Sequence, residues 1–247
     1  AAQEDYYRGH FATVIDDTAT GDGAGKVRWT FAVDNADLQD LAEGETMVQH
    51  YVVTVTHQNG AKVVQQVTVT LIGTNDAPVA IADVADPAIE DGAVVTGSVA
   101  GNDHDVDYYA QLTYALNAPV AGLTLNADGS YSFDAGDAAY QALAKDEVQT
   151  VVASYTVTDE HGATATSMLT LTITGTNDAP VAVVDTGSVV EDAVLTGSVA
   201  TNDSDVDHGA KLAYSLNAPV AGLTLNADGS YSFDAGDVAY QALAKDE

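Results

Sequence analysis

Apolar and hydroxyl side chains alternate along YVVTVT at 51–56, and the same alternation runs through QQVTVTLIG at 65–73, ASYTVT at 153–158 and SMLTLTITG at 167–175. A period of two puts alternate side chains on opposite faces of a strand, so these four stretches predict half-buried β-strands. HQNG at 57–60 and DEHG at 159–162 separate the members of each pair, and Asn-Gly is a strong hairpin signal. NADGSYSF at 126–133 reads as a further hairpin. The pattern predicts one helix, a short one: Asp137 caps AAYQALA, with Tyr140 and Leu143 three apart on one face.

The pattern also repeats at long range. Residues 116–147 recur at 216–247 with one change, Val238 standing where Ala138 stands, and TGSVA and the Asn-Asp-x-Asp-Val-Asp run share that offset. A weaker copy links VRWTFAVDNADLQDLAEGET at 27–46 to GSYSFDAGDAAYQALAKDEV at 129–148. The unit of about 100 residues is the size of a β-sandwich domain, which predicts an all-β tandem array of antiparallel sandwiches. Pro78 and Pro180 lack the amide a ladder needs and mark the boundaries. The expected domains are the later part of one repeat (1–76), a complete repeat (77–178) and the first part of a third (179–247), as in an excerpt of a longer array.

Charge narrows the function. The chain carries 37 acidic and 7 basic residues, a formal net charge of -30, so nucleic acid and anionic membrane surfaces are disfavoured as partners. A 46% hydrophobic content belongs to a folded protein. Self-repulsion on this scale calls for cations that screen or bind it. With no cysteine there is no disulfide frame, and a metal is the remaining staple for a small secreted domain. No apolar run is long enough to span a bilayer.

Four acidic motifs recur in phase: the linker GTNDAP with Asn75-Asp76 and Asn177-Asp178; Asp103, Asp105 and Asp107 with Asp203, Asp205 and Asp207; Asp146-Glu147 with Glu43 and Glu45; and Glu90-Asp91 with Glu191-Asp192. Ca²⁺ takes six to eight oxygens from carboxylates, carbonyls and water, and alternate Asp residues on an extended loop can aim several at one centre. An EF-hand does not fit, because Tyr108 replaces its glycine and Tyr114 its bidentate glutamate. Asn-Asp and Asp-Gly runs also serve as turns.

YTVTDEHGATATSMLTLTITGTNDAPVA at 155–182 resembles the final strands and linker of the VCBS and cadherin-like repeats in giant bacterial adhesins of the repeats-in-toxin type, and VDNADLQDLAEGET at 33–46 resembles the VCBS repeat. The resemblance implies an Ig-like, cadherin-like sandwich array outside the cell, type I secretion, and a role in surface adhesion or biofilm. It also implies Ca²⁺ at the joints, with neighbouring repeats of the same chain as partners and any host or matrix ligand held by other domains. Carried over by position, the first joint uses Glu45, Asn75, Asp76, Asp103, Asp105 and Asp159, and the second Glu90, Glu147, Asn177, Asp178, Asp203 and Asp205. His57 replaces Asp159 in the first unit, and the linker is one residue shorter than in cadherins, with Gly73 and Gly175 where those carry a further Asp. One or two ions per joint is therefore the expectation.

Other chemistry is not signalled. His10, His50, His57, His104, His161 and His208 lack zinc spacing, and GDGAGK at 21–26 lacks the Gly-Lys-Ser/Thr ending of a phosphate loop. There is no Gly-x-Ser-x-Gly elbow. Trp29 stands where Tyr131 and Tyr231 stand, as a strand residue rather than a sugar platform, and Tyr6, Tyr7, Tyr108 and Tyr109 support no particular ligand. The expectation is a calcium-stiffened extender with no enzymatic role. The competing readings are a glycan- or protein-binding sandwich module and accessory repeats of a secreted enzyme.

Overall fold

Each alternating stretch extends into a long strand. Val148–Thr158 (β11) pairs with Thr164–Thr174 (β12) over eleven antiparallel residue pairs, and Thr46–Thr56 (β3) pairs with Lys62–Ile72 (β4) over eleven more. The turn between β11 and β12 closes with Gly162 at φ +90, a left-handed conformation that glycine adopts without steric cost. The computed structural model describes residues 10–18 and 25–242. Tyr6, Tyr7 and most of the 21–26 run lie outside them.

The middle unit is a two-sheet sandwich. One sheet joins Val95–Ser98 (β7), Ser130–Phe133 (β10) and Leu123–Leu125 (β9) in the order β7-β10-β9. The other runs Asp83–Val84 (β5), β12, β11 and Thr113–Leu116 (β8), with Ala88–Ile89 (β6) also on β12. Tyr155 and Val157 of β11, and Leu169, Leu171 and Ile173 of β12, bury against Val99, Tyr131 and Phe133 of the facing sheet. Their neighbours along each strand are Thr and Ser residues, with Met168 the exception, which gives the period of two its physical cause.

The predicted helix at 137–143 does not form. The Tyr140 amide donates to Asp137 and the Leu143 amide to Tyr140, three residues back each time, so the segment is a pair of turns. Tertiary contacts decide this: Tyr140 and Leu143 are both 3% exposed, the Tyr140 hydroxyl donates to the Ala121 carbonyl at 2.8 Å, and its ring meets Phe133 edge-on. A segment this short has little helical stability of its own to oppose them. The Asp137 carboxylate does accept the Ala139 amide, in the manner of a cap.

In the first unit Phe11–Thr18 (β1) pairs with Gly25–Phe31 (β2), and Phe11 stacks between Trp29 and Tyr51 of β3. Trp29 is thus a strand residue, as expected from its register. In the third unit Val194–Ser198 (β13), Leu223–Leu225 (β14) and Ser230–Asp234 (β15) repeat the three-stranded sheet in the order β13-β15-β14.

Candidate cation sites at the joints between units

The linker starts where a ladder ends. The Gly175 amide donates to the Glu147 carbonyl at 2.7 Å, and the Asp146 amide donates back to Gly175. Gly73 makes the same exchange with Glu45 and Gly44. A Cβ on Gly175 would lie 2.3 Å from the Ala144 carbonyl oxygen, so only glycine allows this approach. The closing turn also needs a left-handed residue, Gly44 at φ +75 in one unit and Asp146 at φ +64 in the other. Glu45 and Glu147 are thereby fixed beside the linker.

Glu90 reaches the second joint by a different route. β6 runs parallel to the end of β12, with Ala88 opposite Ile173 and Ile89 opposite Thr174, and the Glu90 amide continues the ladder to the Thr174 carbonyl. Its side chain then accepts the Thr176 amide at 2.8 Å through Oε2. Glu90 is 1% exposed, and its Oε1 has no hydrogen-bond partner. Burial raises its pKa, opposed by the Thr176 amide and reinforced by the charges of Asp178, Asp91 and Asp207.

The downstream unit supplies the Asp-Val-Asp loop. At the second joint Asp207 Oδ2 accepts the Asp178 amide at 3.2 Å, and Asp205 Oδ1 accepts the Asp207 amide. Asp178 Oδ2 and Asp207 Oδ1 are buried without partners. Burial, then the charges of Asp207, Asp91 and Asp205, push the Asp178 carboxyl up. At the first joint Asp107 Oδ2 accepts the Asp76 amide at 2.9 Å, Asp105 Oδ1 accepts the Asp107 amide, and Asp105 Oδ2 and Asp107 Oδ1 are unpartnered. Asp159 is 5% exposed. Burial opposes its ionisation, but hydrogen bonds from Asn75 and from the Ala163, His161 and Gly162 amides outweigh that and hold it below the usual carboxylate range. Asn177 spends its side-chain amide on the Asp178 carbonyl, and Asn75 does the same with Asp76.

The structure places Asn75, Asp76, Asp105 and Asp159 along the first joint and Glu90, Glu147, Asp178 and Asp205 along the second. It engages Asp103 and Asp203 elsewhere. Asp103 Oδ1 accepts the Ile81 amide at 2.6 Å and its Oδ2 faces the Tyr155 hydroxyl, while Asp203 Oδ1 accepts the Val183 amide. Asp107 and Asp207 take the places next to the linker. The signal was in the triplet itself, which offers Asp-x-Asp in two registers. The bridges Val79 to His104 and Val181 to Ser204 select the later one.

Among the described residues no group of three or more acidic or histidine side chains is already gathered around one point as a metal centre. The donor set nevertheless fits a hard cation. Five buried carboxylate oxygens, on Glu90, Asp105, Asp107, Asp178 and Asp207, lack a hydrogen-bond donor. Buried anionic oxygens are costly unless paired or bound to metal.

Proteins of similar sequence or fold are known. Residues 75–175 match the bacterial cadherin-like domain and residues 177–242 the bacterial Ig domain. Among solved structures, protocadherin gamma B2 cadherin domains 1–5 superpose with a TM-score of 0.50 at 15% identity, covering 90% of this chain and 43% of that one. Protocadherin gamma B7 domains 1–4 give 0.47 at 16%, covering 91% and 56%. The first three repeats of mouse protocadherin-24 give 0.45 at 15%, covering 95% and 79%. The chain spans about half the length of the first two structures. No curated protein sequence matches it. Domains of these bacterial families are typically extracellular and non-enzymatic, and cadherin-like domains generally bind calcium at their linkers. Residues 75–175 are thus similar to a bacterial cadherin-like domain and residues 177–242 to a bacterial Ig domain, in a chain whose fold is a tandem of cadherin-like β-sandwiches.

Proposed function

We propose that this segment is a calcium-stiffened extender of a secreted or surface-bound bacterial adhesin, with joints between repeats 1–76, 77–178 and 179–247. The carrying observation is the set of five buried, unpartnered carboxylate oxygens, every one of them at a joint. Ca²⁺ bound there would be held by Asp76, Asp105, Asp107 and Asp159 at the first joint, with Asn75 and Glu45 beside them. At the second it would be held by Glu90, Glu147, Asp178, Asp205 and Asp207, with Asn177 alongside. The ion would supply charge neutralisation and a crosslink between units. Ions that bind only the ordered joint stabilise it by mass action, so the array stiffens where calcium is plentiful. The acidic surface keeps parallel arrays apart. Adhesion within a biofilm and type I export follow from the resemblance to repeats-in-toxin adhesins, with the host or matrix ligand on other domains.

Thermal and calorimetric titration of the chain with Ca²⁺ and with chelator tests this reading. The expected result is a higher melting temperature and reduced interdomain motion with Ca²⁺. Melting and interdomain motion that stay the same under both conditions would overturn it.

A further inference from the structure

Each joint also holds a backbone hydrogen bond that crosses between units and involves no acidic side chain. At the first, the Tyr108 amide of the middle unit donates to the Asp40 carbonyl of the first at 3.1 Å. At the second, the His208 amide of the third unit donates to the Ala142 carbonyl of the middle one at 2.9 Å. The acceptors are equivalent, since Asp40 and Ala142 each precede a buried leucine, Leu41 and Leu143. The donors occupy the same place in the repeat. The side chains differ on both sides of the contact, Tyr against His and Asp against Ala, yet the bond recurs.

The donor loop is shaped for this task. Asp105 and Asp205 accept the amides of Asp107 and Asp207, the Ala110 and Ala210 amides close turns onto the Asp107 and Asp207 carbonyls, and the intervening residue is left-handed in both copies, Tyr109 at φ +64 and Gly209 at φ +71. A tyrosine is sterically disfavoured in that conformation, so the loop shape is held against a local preference.

The geometry points to a metal-independent latch: the loops 107–110 and 207–210 dock by main-chain hydrogen bond onto the upstream turn and set the joint before any cation arrives. Ligand carboxylates from two units are then already facing one another, and a cation need not supply the ordering of the chain. Histidine side chains add a variable layer. His208 contacts Glu147 at 3.0 Å at the second joint, and His161 contacts Glu43 at 3.1 Å at the first. The latch does not depend on calcium binding, and the two ideas fail separately.

Amide hydrogen exchange of the whole 247-residue chain, read by NMR in chelator, tests it. Tyr108 is 55% exposed and the His208 side chain 61%, so neither residue belongs to a core, and slow exchange there tracks docking of the loop. The expected result is exchange about tenfold or more slower than an unstructured amide at both residues. Exchange at the unstructured rate, with the β11–β12 ladder still protected, overturns the latch. So does protection that appears only when Ca²⁺ is added, an outcome that leaves the calcium reading standing. Protection in chelator, with melting that ignores Ca²⁺, keeps the latch and removes the calcium reading.

Discussion

Replacing Glu90 with Gln should reverse the order of stability between chelator and calcium. Without metal, Glu90 is a buried carboxylate with one oxygen on the Thr176 amide and the other unpartnered, beside the charges of Asp178, Asp91 and Asp207. An unsatisfied buried polar group costs about 1–3 kcal/mol, and more when charged. Glu90→Gln keeps an acceptor for Thr176, removes the charge and adds a donor among carboxylates. The metal-free variant should therefore be more stable by about 1–3 kcal/mol, and each kcal/mol moves the melting of a domain this size by about 4–8 °C. In calcium the wild type gains about 2.7 kcal/mol at a hundredfold excess over its dissociation constant, and the variant gains less, so the curves cross. Calorimetry of both proteins in chelator and across a Ca²⁺ series reads the crossing. A variant that melts below the wild type in chelator, or shares its calcium response, would refute the reasoning.

Two glycines separate backbone strain from steric clash. Gly162→Ala meets no atom within 4 Å but must hold φ near +90, which should cost the middle unit about 1–2 kcal/mol with the joint angle unchanged, as scattering and urea unfolding would show. Gly175→Ala would press a methyl into the Ala144 and Leu143 carbonyls, so it should destabilise by about 1–3 kcal/mol and also release the Asp146 and Gly175 amides to exchange. Tyr155→Phe removes the hydroxyl that donates to Asp83 at 2.8 Å and should cost about 1–3 kcal/mol in urea unfolding. Asp83, Glu90 and Asp178 have raised pKa values, so their stabilising protonated forms are lost as pH rises through those values. In chelator the melting temperature should climb as pH falls from neutral toward the ordinary carboxylate range. Below that, Asp159 and Glu147, both lowered, lose their contribution as they protonate and melting falls. A flat profile in chelator would contradict this assignment.

The long strands were legible because Thr and Val alternate wherever one face meets the core, and the hairpin turns because Gly60 and Gly162 sit at positive φ. The segment at 137–143 was misread because its local pattern suits a helix while Tyr140 is claimed by Ala121 and Phe133. The recurrence of Glu90 and Asp178 marked them as candidates, but β6 has two residues and no period to read, so nothing local predicted the parallel pairing that carries Glu90 to the linker. The choice between Asp103 and Asp107 likewise depended on a bridge from Val79 to His104, twenty-five positions apart in sequence. Residue types announced an acidic joint; distant backbone pairing decided which oxygens face it.

A repeat array meets a particular problem at its joints, because units that diverge must still dock on one another. The joint here relies on groups that substitution scarcely alters. The linker glycine is held by main-chain bonds to the turn at Glu45 or Glu147, and the downstream loop reaches upstream main chain at Asp40 or Ala142. Carboxylates on linker amides recur beside these bonds, Asp107 with Asp76 and Asp207 with Asp178. The first unit differs widely from the middle one across the equivalent stretch, and the third is almost a copy of it, yet both neighbours are met through the same atoms. Replacing His208 by Ala should therefore remove only the contact to Glu147 and leave the His208-position amide protected. Loss of that protection would show that the side chain, not the main chain, docks the units.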